Sequence, residues 1–255
     1  TYDLSMKSIF ACCLFWLIGG IALPAQIPAF PGAQGFGTQL TTGGRGGQVI
    51  YVSNLNCDGP GSLAEALSTP GPKYILFKVS GIIDCAAEVV WGDCSIAGQT
   101  SPGGVIVRGI IIDDWYEPNN GAKNIIIRHL NSRPGSEQVR AGKGWVADDA
   151  LRIDGATRVV IDHCSFANAT DEAVQISRSN NLTIQFSQLA ETIGDHYEFG
   201  GMLLNYSANG HRKDSISIHH NIWNRIGGRM PEMSCEQSGE APNDMSCLQH
   251  PLRIE

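Results

Sequence analysis

The 255 residues include 30 glycines, while aromatics make up 7% and charged residues 17%. This composition suits one or two turn-rich β domains better than a helical protein. The net charge of −7 argues against nucleic acid as a partner, since nucleic-acid binding needs a basic face. An acidic polymer remains admissible, because a bound metal or a local arginine cluster can reverse the field where it matters.

In chain order, Met6-Lys7 supplies a start and a positive charge, residues 9–23 are apolar, and Ala22-Leu23-Pro24-Ala25 offers a small-residue cleavage site. That pattern reads as a secretory signal and not as a lasting membrane anchor. Residues 1–25 are therefore set apart as a signal region and residues 26–255 assigned to one domain. The mature protein is expected to be secreted, extracellular or periplasmic, where disulfides persist. Cys235 and Cys247 bracket a polar loop and form the expected pair, with Cys85 and Cys94 a weaker candidate. Cys164, in an apolar strand, is expected to be a small core residue.

Residues 29–47 (AFPGAQGFGTQLTTGGRGG) are glycine-rich and read as irregular. No strand leads in and no apolar helix comes after, which speaks against a nucleotide-binding loop. A strand begins at residues 49–52. Residues 62–67 (SLAEAL), after Gly59-Pro60-Gly61, are the one convincing helical turn and are expected to cap the N-terminal end of the strand array. Short apolar strands then recur at residues 74–79, 94–97, 105–107, 124–127, 158–161, 181–184 and 215–218. From Asn124 onward one short step, from Arg158 to Asn181, lies between two longer and equal ones.

The stretch from Asp148 to Ile184 matches itself when Asp148 is laid on Asp171: Asp148-Asp149-Ala150-Leu151-Arg152-Ile153 aligns with Asp171-Glu172-Ala173-Val174-Gln175-Ile176. A period in the twenties with two β-branched runs per copy marks a β-solenoid, whose coils share a core because one coil cannot bury its own apolar face. The longer steps carry inserted loops at residues 131–146 and 190–201. The sequence ends at Pro251-Leu252-Arg253-Ile254-Glu255, which reads as the start of another strand and so as a truncated solenoid.

Stacking at about 4.8 Å sets the acidic pair Asp148-Asp149 against Asp171-Glu172. Carboxylates so crowded repel one another unless a cation joins them, and an all-oxygen set suits calcium. Arg229, in Gly-Gly-Arg-Met-Pro, is expected to have a tight, extended backbone. Asp162-His163 follows a β-run. His219-His220 is not expected to act as a ligand pair, since adjacent strand residues point to opposite faces.

These residues carry a resemblance. The chain resembles the pectate lyase family (polysaccharide lyase family one) over most of residues 30–255. PGAQGFG, TTGGRGG, GPGSLAEAL, FKVSGII with IAGQTSPGG, VVIDHCSFANATDEAVQI and GGRMP are similar to successive segments of that family. The resemblance implies an all-β fold, a right-handed parallel β-helix, and a monomeric secreted enzyme that cleaves polygalacturonate by calcium-assisted β-elimination. Calcium would acidify the uronate C5 proton, and an arginine would remove it as the C4 oxygen leaves. Arginine can act as a base only where its neutral form is favoured.

Residue by residue, Arg229 matches the family's base, and Asp149 and Asp171 match its calcium ligands. Gln175 stands where a further Asp is common, with Glu172 or Asp148 able to replace that charge. His163 and His196 stand as candidate substrate contacts. The family's substrate-binding Lys is absent near Gly200, and Ser234 stands where a second Arg is expected. Two alternatives remain open. One is a β-helix glycoside hydrolase of polygalacturonase type using paired carboxylates such as Asp148-Asp149, although the Gly-His-Gly and Arg-Ile-Lys motifs of that family are absent. The other is a non-catalytic β-helix that binds uronate polysaccharides.

Overall fold

The structure, a computed structural model, describes residues 27–115, 121–135, 148–193, 200–208, 210–234 and 253–255. The expected signal region, His196 and the expected Cys235–Cys247 pair lie outside the described residues. After β1 (Gln48–Val52) and α1 (Leu63–Ser68), the described residues run in six coils of three short strands. The first coil is β2 (Lys73–Phe77), β3 (Gly81–Ile82) and β4 (Ala87–Glu88), and the second β5 (Cys94–Ala97), β6 (Val105–Val107) and β7 (Ile110–Asp113). The third is β8 (Lys123–Arg128), β9 (Asn131–Ser132) and β10 (Leu151–Asp154), and the fourth β11 (Thr157–Asp162), β12 (Ser165–Ala167) and β13 (Val174–Ser177). The fifth is β14 (Asn180–Gln185), β15 (Gln188–Ala190) and β16 (Met202–Leu204), and the sixth β17 (Asp214–His219), β18 (Ile222–Asn224) and β19 (Glu232–Met233).

Each strand pairs in parallel with its counterpart one coil away. The first sheet is β1-β2-β5-β8-β11-β14-β17, the second β3-β6-β9-β12-β15-β18 and the third β4-β7-β10-β13-β16-β19. This is the β-solenoid that the internal repeat implies and, in form, the all-β parallel β-helix that the resemblance implies. The registers Ile125↔Val159, Val159↔Leu182 and Leu182↔Ile216 reproduce the long, short and long steps between the apolar runs of the sequence. One boundary differs: Asn131 and Ser132, expected to open an inserted loop, form β9 and pair with β6 and β12.

Stacking turns each inward position into a column. Ile50, Ile75, Ile96, Ile127, Ile161, Ile184 and Ile218 follow one another in register across the first sheet. The five central ones are buried. Each such side chain contributes about 1.5–3 kcal/mol by leaving water. Corners recur as columns too: Asn124, Arg158, Asn181 and Ser215 have positive φ near the start of successive strands, and His129, His163, Phe186 and His220 have it at the corner between the first and second sheets. A left-handed residue there reverses the strand alternation and turns the chain toward the next sheet.

The expected helical turn is α1. Ser62 caps it by accepting a hydrogen bond from the Glu65 N–H at 3.1 Å, and the Glu65 carboxylate accepts from the Gly61 N–H at 2.6 Å. Leu63, Ala66 and Leu67 enter the main core at its N-terminal end beside Val52, Ile83 and Ala87. The glycine-rich segment is irregular, as expected, and lies on the outer face of the first sheet. The backbone N–H groups of Phe36, Gly37 and Gly44 donate to the hydroxyls of Ser217, Thr183 and Ser95. Gly44 shows why glycine is needed, since a Cβ there would sit 1.9 Å from the Lys73 carbonyl oxygen.

The Cys85–Cys94 pairing is overturned. Cys85 is bonded to Cys57, with Cα atoms 5.8 Å apart, and Cys94 is free and buried. Cys94 occupies an inward core position in register with Ile125, while Cys85, at the edge of that core, is taken by Cys57. Cys164 is free and buried, the small core residue expected.

Candidate functional site

The turn between the second and third sheets carries the acidic repeat. Because β10 and β13 pair with Leu151↔Val174, residue 149 falls beside residue 172. The Glu172 N–H donates to Asp149 Oδ1 at 3.0 Å, and the Ala150 N–H to the Glu172 carbonyl at 3.1 Å. One carboxylate oxygen from each of Asp149, Asp171 and Glu172 lies within 4.8 Å of the others. Asp149 and Glu172 are buried, and Asp171 is half-buried.

Burial, with the neighbouring Asp171 charge, pushes Asp149 up to about 7. Burial, then the hydrogen bond and charge of Asp171, pushes Glu172 up to about 8, while Arg229 pulls it the other way. Burial and the crowding of like charges thus both disfavour the ionised forms of these two carboxyls. Asp148 and Gln175 are the other expected ligands. Asp148 is exposed, its Oδ1 accepting from the Thr170 hydroxyl at 3.4 Å. Gln175 is half-buried on β13 in register with Arg152 and Leu203.

Arg229, on the loop between β18 and β19, reaches this trio. Its Nη1 donates to Glu172 Oε1, and its Nε to Glu232 Oε2 at 3.2 Å. Its side chain is only 15% exposed, so the guanidinium lies against the cluster and not in solvent. The expected extended backbone is corrected, because Arg229 has φ +51°, in the left-handed region. Proline restricts the residue immediately before it, which is Met230 and not Arg229. The position is fixed by the coil below, where the Gly201 and Met202 N–H groups donate to the carbonyls of Gly228 and Arg229 at 3.1 and 2.6 Å. A Cβ on Gly201 would stand 1.9 Å from the Arg229 carbonyl oxygen, so only glycine admits this path. Residues 200–201, where the family resemblance calls for a lysine, are thus the seat of Arg229.

His163 lies elsewhere, at the turn between the first and second sheets, separated from Asp171 by β12. Its Nδ1 is 2.9 Å from Asp162 Oδ2, and its ring stacks between those of His129 and Phe186 at centroid distances of 4.9 and 5.2 Å. Phe186 stacks in turn on His220 at 4.8 Å. The alternation argument about His219-His220 fails in the structure: His220 has φ +56°, which brings the two Nδ1 atoms to 2.8 Å. Strand alternation alone missed this ring column, although residues 129, 163, 186 and 220 recur with the same steps as the apolar runs.

The family model described as pectate lyase matches residues 86–238. The chain is 37% identical over 183 residues to a protein of Aspergillus flavus named probable pectate lyase C, covering 70% of this chain and 40% of that protein. A protein of the same name from Aspergillus terreus is 35% identical over 194 residues, covering 74% and 43%. Pectate lyase 5 of Ambrosia artemisiifolia is 30% identical over 205 residues, covering 69% and 49%. The chain therefore spans less than half the length of these curated relatives. Among solved structures, a pectate lyase from Bacillus sp. N165 in complex with trigalacturonate has the same fold at 19% identity and a TM-score of 0.53, over 79% of this chain and 64% of that one.

Proposed function

Because the chain belongs to the pectate lyase family, we propose that it carries the site of a secreted, calcium-assisted lyase acting on polygalacturonate. The observation that carries this reading is the direct pairing of Arg229 with Glu172 inside the acidic trio, which joins a candidate base to a candidate cation site. The trio fits calcium by its donors, which are all hard carboxylate oxygens, and by its crowding, which a divalent cation would relieve. Asp149, Asp171 and Glu172 would hold it. Bound there, calcium would supply positive charge that draws electron density from the uronate carboxylate and acidifies the neighbouring C5–H.

The chain's own residues do the rest. Asp149 and Glu172 are tied together through the Glu172 N–H, which fixes the spacing of two ligands before any cation arrives. With Glu172 engaged as a cation ligand and the cation's charge favouring the neutral guanidine, Arg229 would take the C5 proton. The C5–H electrons form the C4–C5 double bond, and the C4–O bond breaks toward the departing oxygen. Glu232 holds the guanidinium through Nε. The Cys57–Cys85 disulfide is in keeping with an oxidising, extracytoplasmic compartment.

The test is incubation of the chain with polygalacturonate, with calcium and with chelator. Calcium-dependent growth of the ultraviolet absorbance of a conjugated unsaturated uronide is the expected result. Reducing ends without that absorbance would point to hydrolysis. Calcium-dependent retention on the polymer with no product would point to a binder.

A further inference from the structure

We propose that the corner between the first and second sheets is a second metal site, in which His129 and His163 bind a borderline divalent cation such as zinc and Asp162 orients His163. A ring nitrogen from each histidine and a carboxylate oxygen of Asp162 lie within 4.8 Å of one another. The donors here are imidazoles. The acidic trio at the other corner offers only oxygen, so the two sites would sort cations by softness: nitrogen for zinc, copper or nickel, and oxygen for calcium.

Three features point to coordination and not to packing alone. The first is the Asp162–His163 contact at 2.9 Å. With the proton on Nδ1 shared with the carboxylate, Nε2 keeps its lone pair, the carboxylate–histidine arrangement that orients metal-bound imidazoles. The second is that Asp162 is itself held. It is fully buried and accepts from Arg128 Nε at 2.7 Å and Gln185 Nε2 at 2.6 Å. Its orienting role therefore costs no new ordering when a cation arrives.

The third is Phe186. It occupies the same place in the column one coil on, stacks on His163 at 5.2 Å and shows that an apolar ring satisfies the packing there. Imidazole nitrogen at positions 129 and 163 is thus more than the stack requires. His163 is exposed and His129 half-buried, and an open groove of about 430 Å³ lined by both, with Ser165, Phe186, Gln188 and His220, gives a hydrated ion access and room for its remaining waters.

Phe186 also supplies the variant that tests the idea. His163→Phe and His129→Phe repeat a ring the column already accommodates, so they remove nitrogen while keeping the stack. Zinc chloride is titrated calorimetrically into the chain in excess calcium, which occupies the acidic trio. The expected result is one saturable zinc site, weakened at least tenfold by either variant and unchanged by His220→Phe. A copper(II) electron paramagnetic resonance spectrum of the unaltered chain, which needs no variant to fold, should show nitrogen ligation. Absence of saturable zinc binding, an oxygen-only copper spectrum, or zinc affinity lost in His220→Phe and kept in His163→Phe would each overturn the proposal. The last outcome would assign the ion to His219 and His220, whose Nδ1 atoms are 2.8 Å apart.

Discussion

Asp149→Asn probes the acidic trio without disturbing its frame. Asparagine keeps an Oδ1 acceptor for the Glu172 N–H and removes only the charge. In the folded chain burial and Asp171 raise Asp149 from 3.8 to about 7. A carboxyl raised in this way binds its proton more tightly folded than unfolded. Its contribution to stability is therefore largest below about pH 4 and is lost as pH rises toward 7. At about 1.4 kcal/mol per pH unit, ionised Asp149 costs at most about 4 kcal/mol at pH 8. The buried amide of the variant has its own desolvation cost of about 1–3 kcal/mol. A net gain of about 2 kcal/mol corresponds to a rise in Tm of roughly 4–8 °C for a chain of this size. Thermal melts at pH 8 in chelator should show that rise. The parent should melt higher at pH 5 than at pH 8 in chelator, and added calcium should stabilise the parent at pH 8 while leaving the variant nearly unmoved. A variant that melts below the parent in chelator, or one stabilised by calcium as much as the parent, would refute the account of a charge cluster awaiting a cation.

The same geometry makes three further outcomes testable. Arg229→Lys keeps the positive charge beside Glu172 but replaces a planar fork by a point donor, so kcat should fall by roughly 10²–10⁴ with KM little changed; a fully active variant would remove Arg229 as the base. Gly201→Ala places a Cβ against the Arg229 carbonyl and should lower kcat while calorimetry finds calcium binding retained, whereas an unchanged kcat would show that this seat is not needed. The Cys57–Cys85 disulfide closes a span of 28 residues. It should contribute about 3–4 kcal/mol of stability, read as a drop in Tm on reduction, and peptide mapping that finds both thiols free would contradict it.

Sequence by itself determined the period and therefore the fold. β-branched runs that recur at such regular steps can bury their apolar faces only by stacking in register, and Val159, Leu182 and Ile216 do so. The same period placed Glu172 beside Asp149, so the stacking of the two acidic pairs was legible before any coordinates, and Ser62 with Glu65 marked the helix start. What the sequence left open depends on direction and not on spacing. Cys94 and Cys57 are alike as letters, but only the three-dimensional path turns one into the core and brings the other to Cys85. Arg229 reaches Glu172 because Gly201, in the coil between them, leaves room for its backbone in the left-handed region, whereas the adjoining Met-Pro suggested an extended chain. His129, His163, Phe186 and His220 form one column because a left-handed residue at each corner interrupts strand alternation. Side-chain periodicity assumes regular dihedrals, and corners are where the chain abandons them. Tertiary structure alone therefore decided which side chains meet there.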